Sequence, residues 1–429
     1  MVFRLYRHSV VLCICILVAA VAVTMALNFG RSEAAAVPVS AALSVSGEGA
    51  SPRSSPESAV SSAQTAAREE MRAVWVPYLS LDMSREEDKS EQAFRTKFAA
   101  IVKNAKDCGM NTLVVQVRPF GDALYRSSLF PWSHIAGGTQ GVDPGYDPLA
   151  DMIAACREAG LKIHAWVNPL RIQTAATPSI LAAGNPYSVW KTDTAKAGWT
   201  VDWQGAKYYN PAYEPVRKLI ADGVQEIAKN YDVDGIQIDD YFYPTQDAAF
   251  DQAAYDAYAA SASKAGVPLS LSDWRCANVN TLVSLMYREI KSVKPELPFG
   301  IAPQANVQND LAMGADVAVW CSVKGYADYI CPQLYVNFEN PALPFDSAVK
   351  TWKSMVRNPD MKLYLGLAAY KAGSDADSGT WKSSGDILAR QVSLGRESAC
   401  DGFMFYSCDY LNRDQTEEEV RNVVKILAQ

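Results

Sequence analysis

The sequence is poor in the residues that bind catalytic metals. It has only three histidines in 429 residues, and neither a His-x-x-x-His pair nor a Cys-x-x-Cys pair occurs. Because zinc enzymes and structural zinc sites draw their ligands from such pairs, we expect neither a metal nor another cofactor. A Gly-x-Ser-x-Gly turn, which carries the nucleophile of many esterases, is missing too. The chemistry is therefore expected to rest on other side chains.

Positive charge is not concentrated anywhere along the chain. The 40 Lys and Arg residues are outnumbered by 47 Asp and Glu residues, which gives a net charge of −7. Nucleic-acid binding needs clustered cations against the phosphates, so a nucleic-acid partner is not expected. Of the nine cysteines, all but Cys13 and Cys15 lie beyond the apolar N-terminus, without short paired spacings. We expect these to pack as small hydrophobic residues rather than to form a disulfide framework.

The N-terminus has the pattern of a targeting segment. Arg4 and Arg7 precede an uncharged, mostly apolar run from Ser9 to Leu27, so residues 1–29 are predicted to be a signal peptide or signal anchor. Residues 30–70 are rich in Ala, Ser and Pro and are predicted to form a flexible linker. The rest of the chain is therefore expected outside the cytoplasm, either secreted or anchored to the membrane by the N-terminal helix. The oligomeric state is not predicted.

Residues 71–429 alternate between short apolar runs and segments with helical periodicity. The runs predicted as strands are Ala73–Tyr78, Thr112–Val117, Lys162–Asn168, Gly235–Asp239, Phe299–Gln304, Tyr329–Tyr335, Leu363–Ala369 and Gly402–Tyr406. The predicted helices are Glu91–Cys108, Leu149–Ala159, Tyr213–Asn230, Val279–Val293, Phe345–Val356, Ile387–Glu397 and Thr416–Leu427, with Ala315–Lys324 as a weaker eighth. Eight alternating units favour an α/β fold of the closed (β/α)8 TIM barrel type. An open doubly wound sheet is disfavoured, because no glycine-rich phosphate loop follows the first strand.

Four predicted strands carry polar side chains on the face that points into the barrel. Side chains alternate between the two faces of a strand, and the outer face of a barrel strand meets apolar helices. The inward set is Gln116, Arg118, His164, Trp166, Asn168, Gln237, Asp239, Gln333 and Tyr335. A purely structural interior would favour Val, Ile and Leu, so these side chains indicate a site at one mouth of the barrel. The long connections Pro169–Pro211 and Tyr241–Trp274 are expected to shape its cleft.

Two adjacent carboxyls end the fourth predicted strand. Asp239 shares the inward phase and is expected to react. Asp240 lies on the other phase or at the turn, so it is expected either to assist Asp239 or to cap the loop. Because buried acids are costly unless paired, we expect Arg118 to hold Asp239 ionised.

Other positions are left with two interpretations each. Asp240, Glu339 and Asp409 each follow a strand end and compete for the role of second catalytic carboxyl. His164 lies low in its strand, so it either binds substrate or fills the core. Tyr243 follows the acid pair and is expected either to support a sugar ring or to pack against the core.

Six short motifs occur in one order along the chain. They are Arg72–Val76, Gln116–Pro119, His164–Pro169, Asp234–Pro244, Asp273–Arg275 and Pro332–Tyr335. Together they resemble the glycosyl hydrolase-like 10 family of mostly bacterial, exported (β/α)8 barrels, which are regarded as polysaccharide hydrolases. The resemblance runs from Met71 to the C-terminus and implies that Asp239 and Asp240 form the family's acidic motif. The cleft-lining positions that it implies are Arg118, Asn168, Arg275, Gln333 and Tyr335.

Three stretches depart from the family pattern. Ile301–Gln304 lacks the expected Ser-Pro-Phe-Gly sequence, and Cys276 stands where a second arginine is usual. Val336–Glu339 replaces an expected segment with a tryptophan. These changes bear on the substrate more than on the chemistry.

The predicted function is that of a glycoside hydrolase that uses carboxyl groups for acid and base catalysis on a cell-surface or extracellular polysaccharide. Adjacent acids at this strand also resemble those of substrate-assisted hexosaminidases, which favours a polymer of N-acetylated amino sugars. The alternative is a non-catalytic glycan-binding or envelope-scaffold protein on the same barrel. A transferase on this fold would differ only in how the site treats water.

Overall fold

The computed structural model of the protein describes residues 69–429. The predicted targeting segment, residues 1–29, and the predicted linker up to residue 68 lie outside this range. From residue 69 onward, no helix combines the length and the apolar character that crossing a membrane requires.

Eight parallel strands close into a barrel, which confirms the predicted fold. The strands of the chain are β1 (Met71–Val76), β2 (Thr112–Arg118), β3 (Lys162–Val167), β4 (Arg171–Gln173), β5 (Thr200–Trp203), β6 (Ala206–Tyr209), β7 (Gly235–Ile238), β8 (Phe299–Ile301), β9 (Tyr329–Ile330), β10 (Lys362–Leu367) and β11 (Gly402–Phe405). Around the barrel the order is β1-β11-β10-β9-β8-β7-β3-β2. The remaining three strands form a small antiparallel sheet in the connection after β3, in the order β4-β6-β5.

Eight helices alternate with the barrel strands. They are α1 (Glu91–Asp107), α2 (Pro148–Ala159), α3 (Glu214–Asn230), α4 (Leu271–Val293), α5 (Val317–Ser322), α6 (Phe345–Met355), α7 (Ile387–Glu397) and α8 (Glu417–Leu427). Short helices in the connections span Tyr78–Leu81, His134–Gly137, Pro186–Lys191, Gln252–Ala262 and Val307–Ala312. Helix α4 begins well before the predicted Val279, because the Ser270 side chain caps it by accepting the N–H of Asp273 at 3.1 Å.

Two barrel strands are shorter than their apolar runs predict. The predicted strands that begin at Phe299 and Tyr329 end before Pro303 and Pro332, and proline has no N–H to give to a strand ladder. Isolated bridges from Gln333 to Gln304 and to Gly366 continue the pairing beyond the prolines. Gln333 is thereby fixed at the C-terminal rim although it lies outside a regular strand.

A recurring polar clamp joins the strands in pairs at the N-terminal end of the barrel. In each pair, the residue before the second strand uses its side-chain oxygen to accept an N–H from the start of the first strand. The four clamps are Asn111 to Arg72 at 3.0 Å, Asp234 to Ile163 at 2.8 Å, Asp328 to Phe299 at 2.7 Å and Asp401 to Leu363 at 3.0 Å. In all four, the backbone N–H of the clamping residue also donates to the carbonyl of its partner. The register of neighbouring strands is therefore set at this end, away from the polar rim.

Large rings inside the barrel lie over glycines of the neighbouring strand. His164 pairs in register with Gly235, and Tyr329 pairs with Gly300. A methyl group at Gly235 would lie 2.5 Å from the His164 ring, and one at Gly300 would lie 1.9 Å from the Tyr329 ring. These glycines provide the space that an aromatic barrel interior requires.

Substitution of Gly300 by alanine is expected to lower the free energy of unfolding by about 3 kcal/mol or more, because the new methyl group overlaps a buried ring. Urea denaturation of the purified domain measures this change. Gly137→Ala is the matched control, since nothing lies within 4 Å of its added methyl group. Equal stability of both variants would contradict the packing described for Gly300.

Candidate active site

A cavity of about 230 Å³ lies where the barrel strands end at their C-termini. Its lining residues are Trp75, Trp166, Asp239, Asp240, Tyr241, Ala302, Gln333, Tyr335, Tyr370 and Tyr406. Both predicted acids therefore face the same small space, together with three of the predicted binding residues. Such a concave pocket with a few convergent polar groups is the usual form of a small-ligand site.

The carboxyl of Asp239 is buried and held by donors from two strands. Its Oδ2 accepts from the indole Nε1 of Trp166 at 2.8 Å and from the amide of Asn168 at 2.5 Å. Its Oδ1 accepts the backbone N–H of Tyr241 at 3.3 Å. The carboxyl is therefore fixed in one orientation, with only 3% of the residue exposed.

A chain of amides sets the orientation of the Asn168 side chain. The backbone N–H of Tyr78 donates to Gln116 Oε1 at 3.0 Å, and Gln116 Nε2 donates to Asn168 Oδ1. Because a backbone N–H can only donate, each amide in the chain has one possible orientation, which presents the Asn168 NH₂ group to Asp239. The predicted inward positions of Gln116 and Asn168 are explained by this relay.

Asp240 also turns into the cavity, although strict alternation places it on the outer face. Strand β7 ends at Ile238, and the chain turns so that the N–H of Phe242 donates to the Asp240 carbonyl at 3.0 Å. The Asp240 Oδ1 accepts from Gln333 Nε2 at 2.9 Å, and the same Nε2 also donates to the Ala302 carbonyl. Gln333 thus orients the second acid from across the barrel mouth.

Burial raises the pKa values of both acids. For Asp239, burial and the adjacent charge of Asp240 raise the pKa to about 7, against the lowering effects of Arg171, Trp166 and the Tyr241 N–H. Burial also raises the pKa of Asp240, opposed by its hydrogen bond from Gln333. Two close carboxyls with raised pKa values keep a proton to higher pH than free acids do, which suits general acid catalysis.

A third buried acid, Asp310, holds the segment next to Gln333. Asp310 is 1% exposed, and its Oδ1 accepts the backbone N–H of Gln304 at 2.9 Å. Burial raises the pKa of Asp310 to about 8, and the charge of Asp240 adds to the rise. Since Gln304 bridges to Gln333, Asp310 positions the segment that orients Asp240.

Four aromatic rings form a wall beside the acid pair. Tyr335 meets Trp75 edge-on at 6.5 Å between centroids and lies 5.8 Å from Tyr406 and 5.7 Å from Tyr370. Only Tyr335 is among the predicted binding residues. Trp75 occupies the inward phase of β1, so alternation identifies it, whereas Tyr370 and Tyr406 follow the ends of β10 and β11.

The cation beside the acids is Arg171 and not the predicted Arg118. Strand β2 bulges against β3 between Gln116 and Arg118, so Arg118 does not share the inward phase of Gln116. Its guanidinium is buried over the ring of Phe130 at 4.3 Å, in space left by Gly223 on α3. The expected pairing of Arg118 with Asp239 is therefore wrong.

His164 lies at the opposite end of the barrel. It lines a cavity of about 620 Å³ at the N-terminal mouth, and its Nδ1 is 3.1 Å from the hydroxyl of Tyr329. Burial lowers the pKa of His164 to about 4, so the ring is neutral at physiological pH. The core interpretation of His164 holds, and its expected contact with substrate in the C-terminal cleft does not.

Arg275 and Tyr243 shape the loop after the acids and do not line the cavity. Arg275 forms a buried ion pair with Asp251 at 2.5 Å and donates to the carbonyls of Thr245 and Asp247. Tyr243 is buried, with the Arg275 guanidinium 5.0 Å from its ring centroid. Neither residue is therefore placed to bind substrate in the cavity. Both stabilise the long connection from β7 to α4.

The remaining candidate carboxyls lie outside the cavity lining. Glu339 is exposed in the loop after β9, where its N–H donates to Asn337. Asp409 accepts from the hydroxyl of Ser80 at 2.7 Å and follows β11. Of the three competitors for the second carboxyl, the structure thus places Asp240 beside Asp239. Within residues 69–429, no group of three or more His, Cys, Asp or Glu side chains is arranged to hold a metal.

A closed parallel barrel with paired buried acids at its C-terminal rim belongs to the class of TIM-barrel proteins with glycosidase-like sites. The sequence model of the glycosyl hydrolase-like 10 family matches residues 70–382, and the chain belongs to this family.

Relatives in two bacteria are similar over most of the chain. Glycosyl hydrolase YngK of Bacillus subtilis is 34% identical over 366 residues, which cover 80% of this chain and 69% of the relative. Glycosyl hydrolase DigH of Escherichia coli K12 is 31% identical over 381 residues, which cover 81% and 82%. Among solved structures, the PgaB (BpsB) glycoside hydrolase domain from Bordetella bronchiseptica matches with a TM-score of 0.53 at 13% identity. That match covers 84% of this chain and 99% of the domain, and it supports the shared fold.

Replacement of Trp166 by phenylalanine is expected to raise the pKa of Asp239 by about one pH unit, because the lost N–H bond stabilises the ionised carboxylate. Carbon-13 NMR titration of labelled aspartate measures the change without a substrate. Trp75→Phe makes a similar volume change in the same cavity and is the control. If both variants shift the titration equally, the indole hydrogen bond is not the cause.

Proposed function

We propose that the protein is a glycoside hydrolase that acts on a cell-surface or extracellular polysaccharide, with Asp239 and Asp240 as the reacting pair. The observation that carries the proposal is the placement of both acids, with raised pKa values, in one cavity beside an aromatic wall. Aromatic faces bind the apolar faces of sugar rings, and the paired carboxyls supply the acid and base groups that hydrolysis of a glycosidic bond needs.

The environments of the two acids suggest different roles. Asp240 is the less buried acid, so we assign it proton transfer to the glycosidic oxygen as the bond to the leaving sugar breaks. Asp239 is deeper and fixed by Trp166 and Asn168, which suits a group that orients or attacks rather than one that moves. Water then completes the reaction at the anomeric carbon, and Asp240 takes back a proton.

An N-acetylated amino sugar is the substrate that best fits adjacent acids. In that case Asp239 accepts the N–H of the substrate's acetamido group, and the acetamido oxygen attacks the anomeric carbon. This assignment predicts products that retain the anomeric configuration, and it predicts loss of turnover when the polymer is de-N-acetylated. Proton NMR of the first products reads the configuration directly, and inversion would exclude acetamido participation.

Replacement of Asp239 or Asp240 by asparagine is expected to lower turnover by about 10³-fold or more, because each removes a reacting carboxyl. Release of reducing ends from wall and capsule polysaccharides measures turnover, with circular dichroism to verify folding. Glu339→Gln is the control and is expected to keep wild-type turnover, since Glu339 is exposed and outside the cavity. Full activity of Asp239→Asn would remove Asp239 from the chemistry. Saturable binding by the wild type without any turnover would favour the scaffold alternative.

We also propose that the barrel lies outside the cytoplasm, secreted or held by residues 1–29. The support is the apolar N-terminal run and the polymeric substrate, which does not enter cells. Fusion of residues 1–70 to alkaline phosphatase tests this, because that reporter is active only after export. An inactive fusion that is stably expressed would contradict the proposed location.

A further inference from the structure

One guanidinium at the barrel mouth has no protein carboxylate to pair with. Arg171 is the first residue of β4 and lies two positions after Pro169. Its Nε donates to the Pro119 carbonyl at 3.0 Å. Within the part of the chain that the structure describes, the guanidinium forms no ion pair. The guanidinium therefore lacks the carboxylate that usually pairs with a partly buried cation, although it shares a hydrogen bond with the side chain of Tyr241.

Two aromatic rings lie close to this guanidinium. Its Cζ lies 5.1 Å from the ring centroid of Phe120 and 4.6 Å from that of Tyr241. The backbone is held as well, because Arg171 pairs with Tyr208 in the antiparallel sheet of β4 and β6. A cation held in this way loses little side-chain entropy when it binds an anion, so it is preorganised for a ligand.

The position of Arg171 connects it to the cavity. Its charge lowers the pKa values of both Asp239 and Asp240, although it contacts neither as an ion pair. Tyr241, whose ring lies close to the Arg171 guanidinium, lines the cavity and is 49% exposed. A glycan that occupies the cavity and leaves it over Tyr241 therefore passes close to Arg171.

We propose that Arg171 binds an anionic substituent of the glycan, specifically a sugar carboxylate, in a subsite adjoining the acid pair. This inference rests on the proposed function, since it names the class of polymer that the same site takes. A planar guanidinium with no protein carboxylate beside it matches a carboxylate through two parallel hydrogen bonds. The protein carries a net charge of −7 and two acids at the cavity, so an anionic polymer needs a fixed cation where it approaches.

Binding to matched pairs of polymers tests the subsite. The probes are soluble cell-wall glycan, polygalacturonate and hyaluronan, each intact and after chemical reduction of its carboxyl groups to alcohols. The wild-type chain is expected to bind the intact form of at least one polymer about tenfold more tightly than the reduced form. Arg171→Gln is expected to bind both forms equally, and Arg171→Lys to keep part of the preference, because it retains the charge without the planar fork.

Arg390→Gln is the matched control. Arg390 also stacks on an aromatic ring, Phe338 at 4.7 Å, but it lies on helix α7 outside the cavity. It is expected to keep the wild-type preference for the intact polymers.

Two results would overturn the subsite: a wild-type chain that binds the intact and reduced forms of all three polymers alike, or an Arg171→Gln variant that keeps the preference. Reducing-end release is measured on the same samples and separates this inference from the proposed function. Preferential binding without turnover supports the subsite and contradicts hydrolysis. Turnover without preferential binding supports hydrolysis and contradicts the subsite.

Discussion

The carboxyl of Asp239 is buried away from water, so the surrounding strands must supply hydrogen-bond donors to it. A buried carboxylate is costly unless several donors face it, and here those donors come from Trp166, Asn168 and a backbone N–H. Asn168 can donate only because Gln116 occupies its oxygen, and Gln116 is fixed in turn by the N–H of Tyr78. The identities of three side chains, Trp166, Asn168 and Gln116, are thus set by one acid, and strands β2, β3 and β7 must meet in a single register to bring them together.

Simple alternation along strands predicted much of this site from the sequence. The barrel, its eight strands and the inward direction of Asp239 follow from apolar runs and a period of two, because the ladder enforces that period wherever it is regular. The same rule fails where the ladder is irregular. The bulge in β2 turns Arg118 away from the cavity, and the end of β7 lets Asp240 turn into it. Both departures depend on partner strands, which the local sequence does not reveal.

Alternation along strands does not predict the side-chain directions of residues in the connections. Tyr370 and Tyr406 follow strand ends, where no periodicity constrains the side chain. Arg171 begins β4, a strand in the connection after β3 that the apolar runs did not predict. For Arg275 the error is the reverse, since a residue predicted to line the cleft does not reach it. It belongs to a recognisable motif, yet its burial against Asp251 holds the loop from within and keeps it from the cavity. A motif therefore identifies an important residue, but it does not show whether that residue contacts the ligand or holds in place the residues that do.

The polar clamps at the N-terminal end divide the barrel into four units of two strands each. Every clamp lies inside a unit, and none of the four joins one unit to the next. New chain termini introduced between units would leave all four clamps intact, whereas termini within a unit would separate a clamp from its partner strand. The units are thus the natural pieces for circular permutation and for exchange of rim loops among related barrels. The N-terminal end of the barrel would in this way preserve the fold while the loops at the C-terminal end diversify.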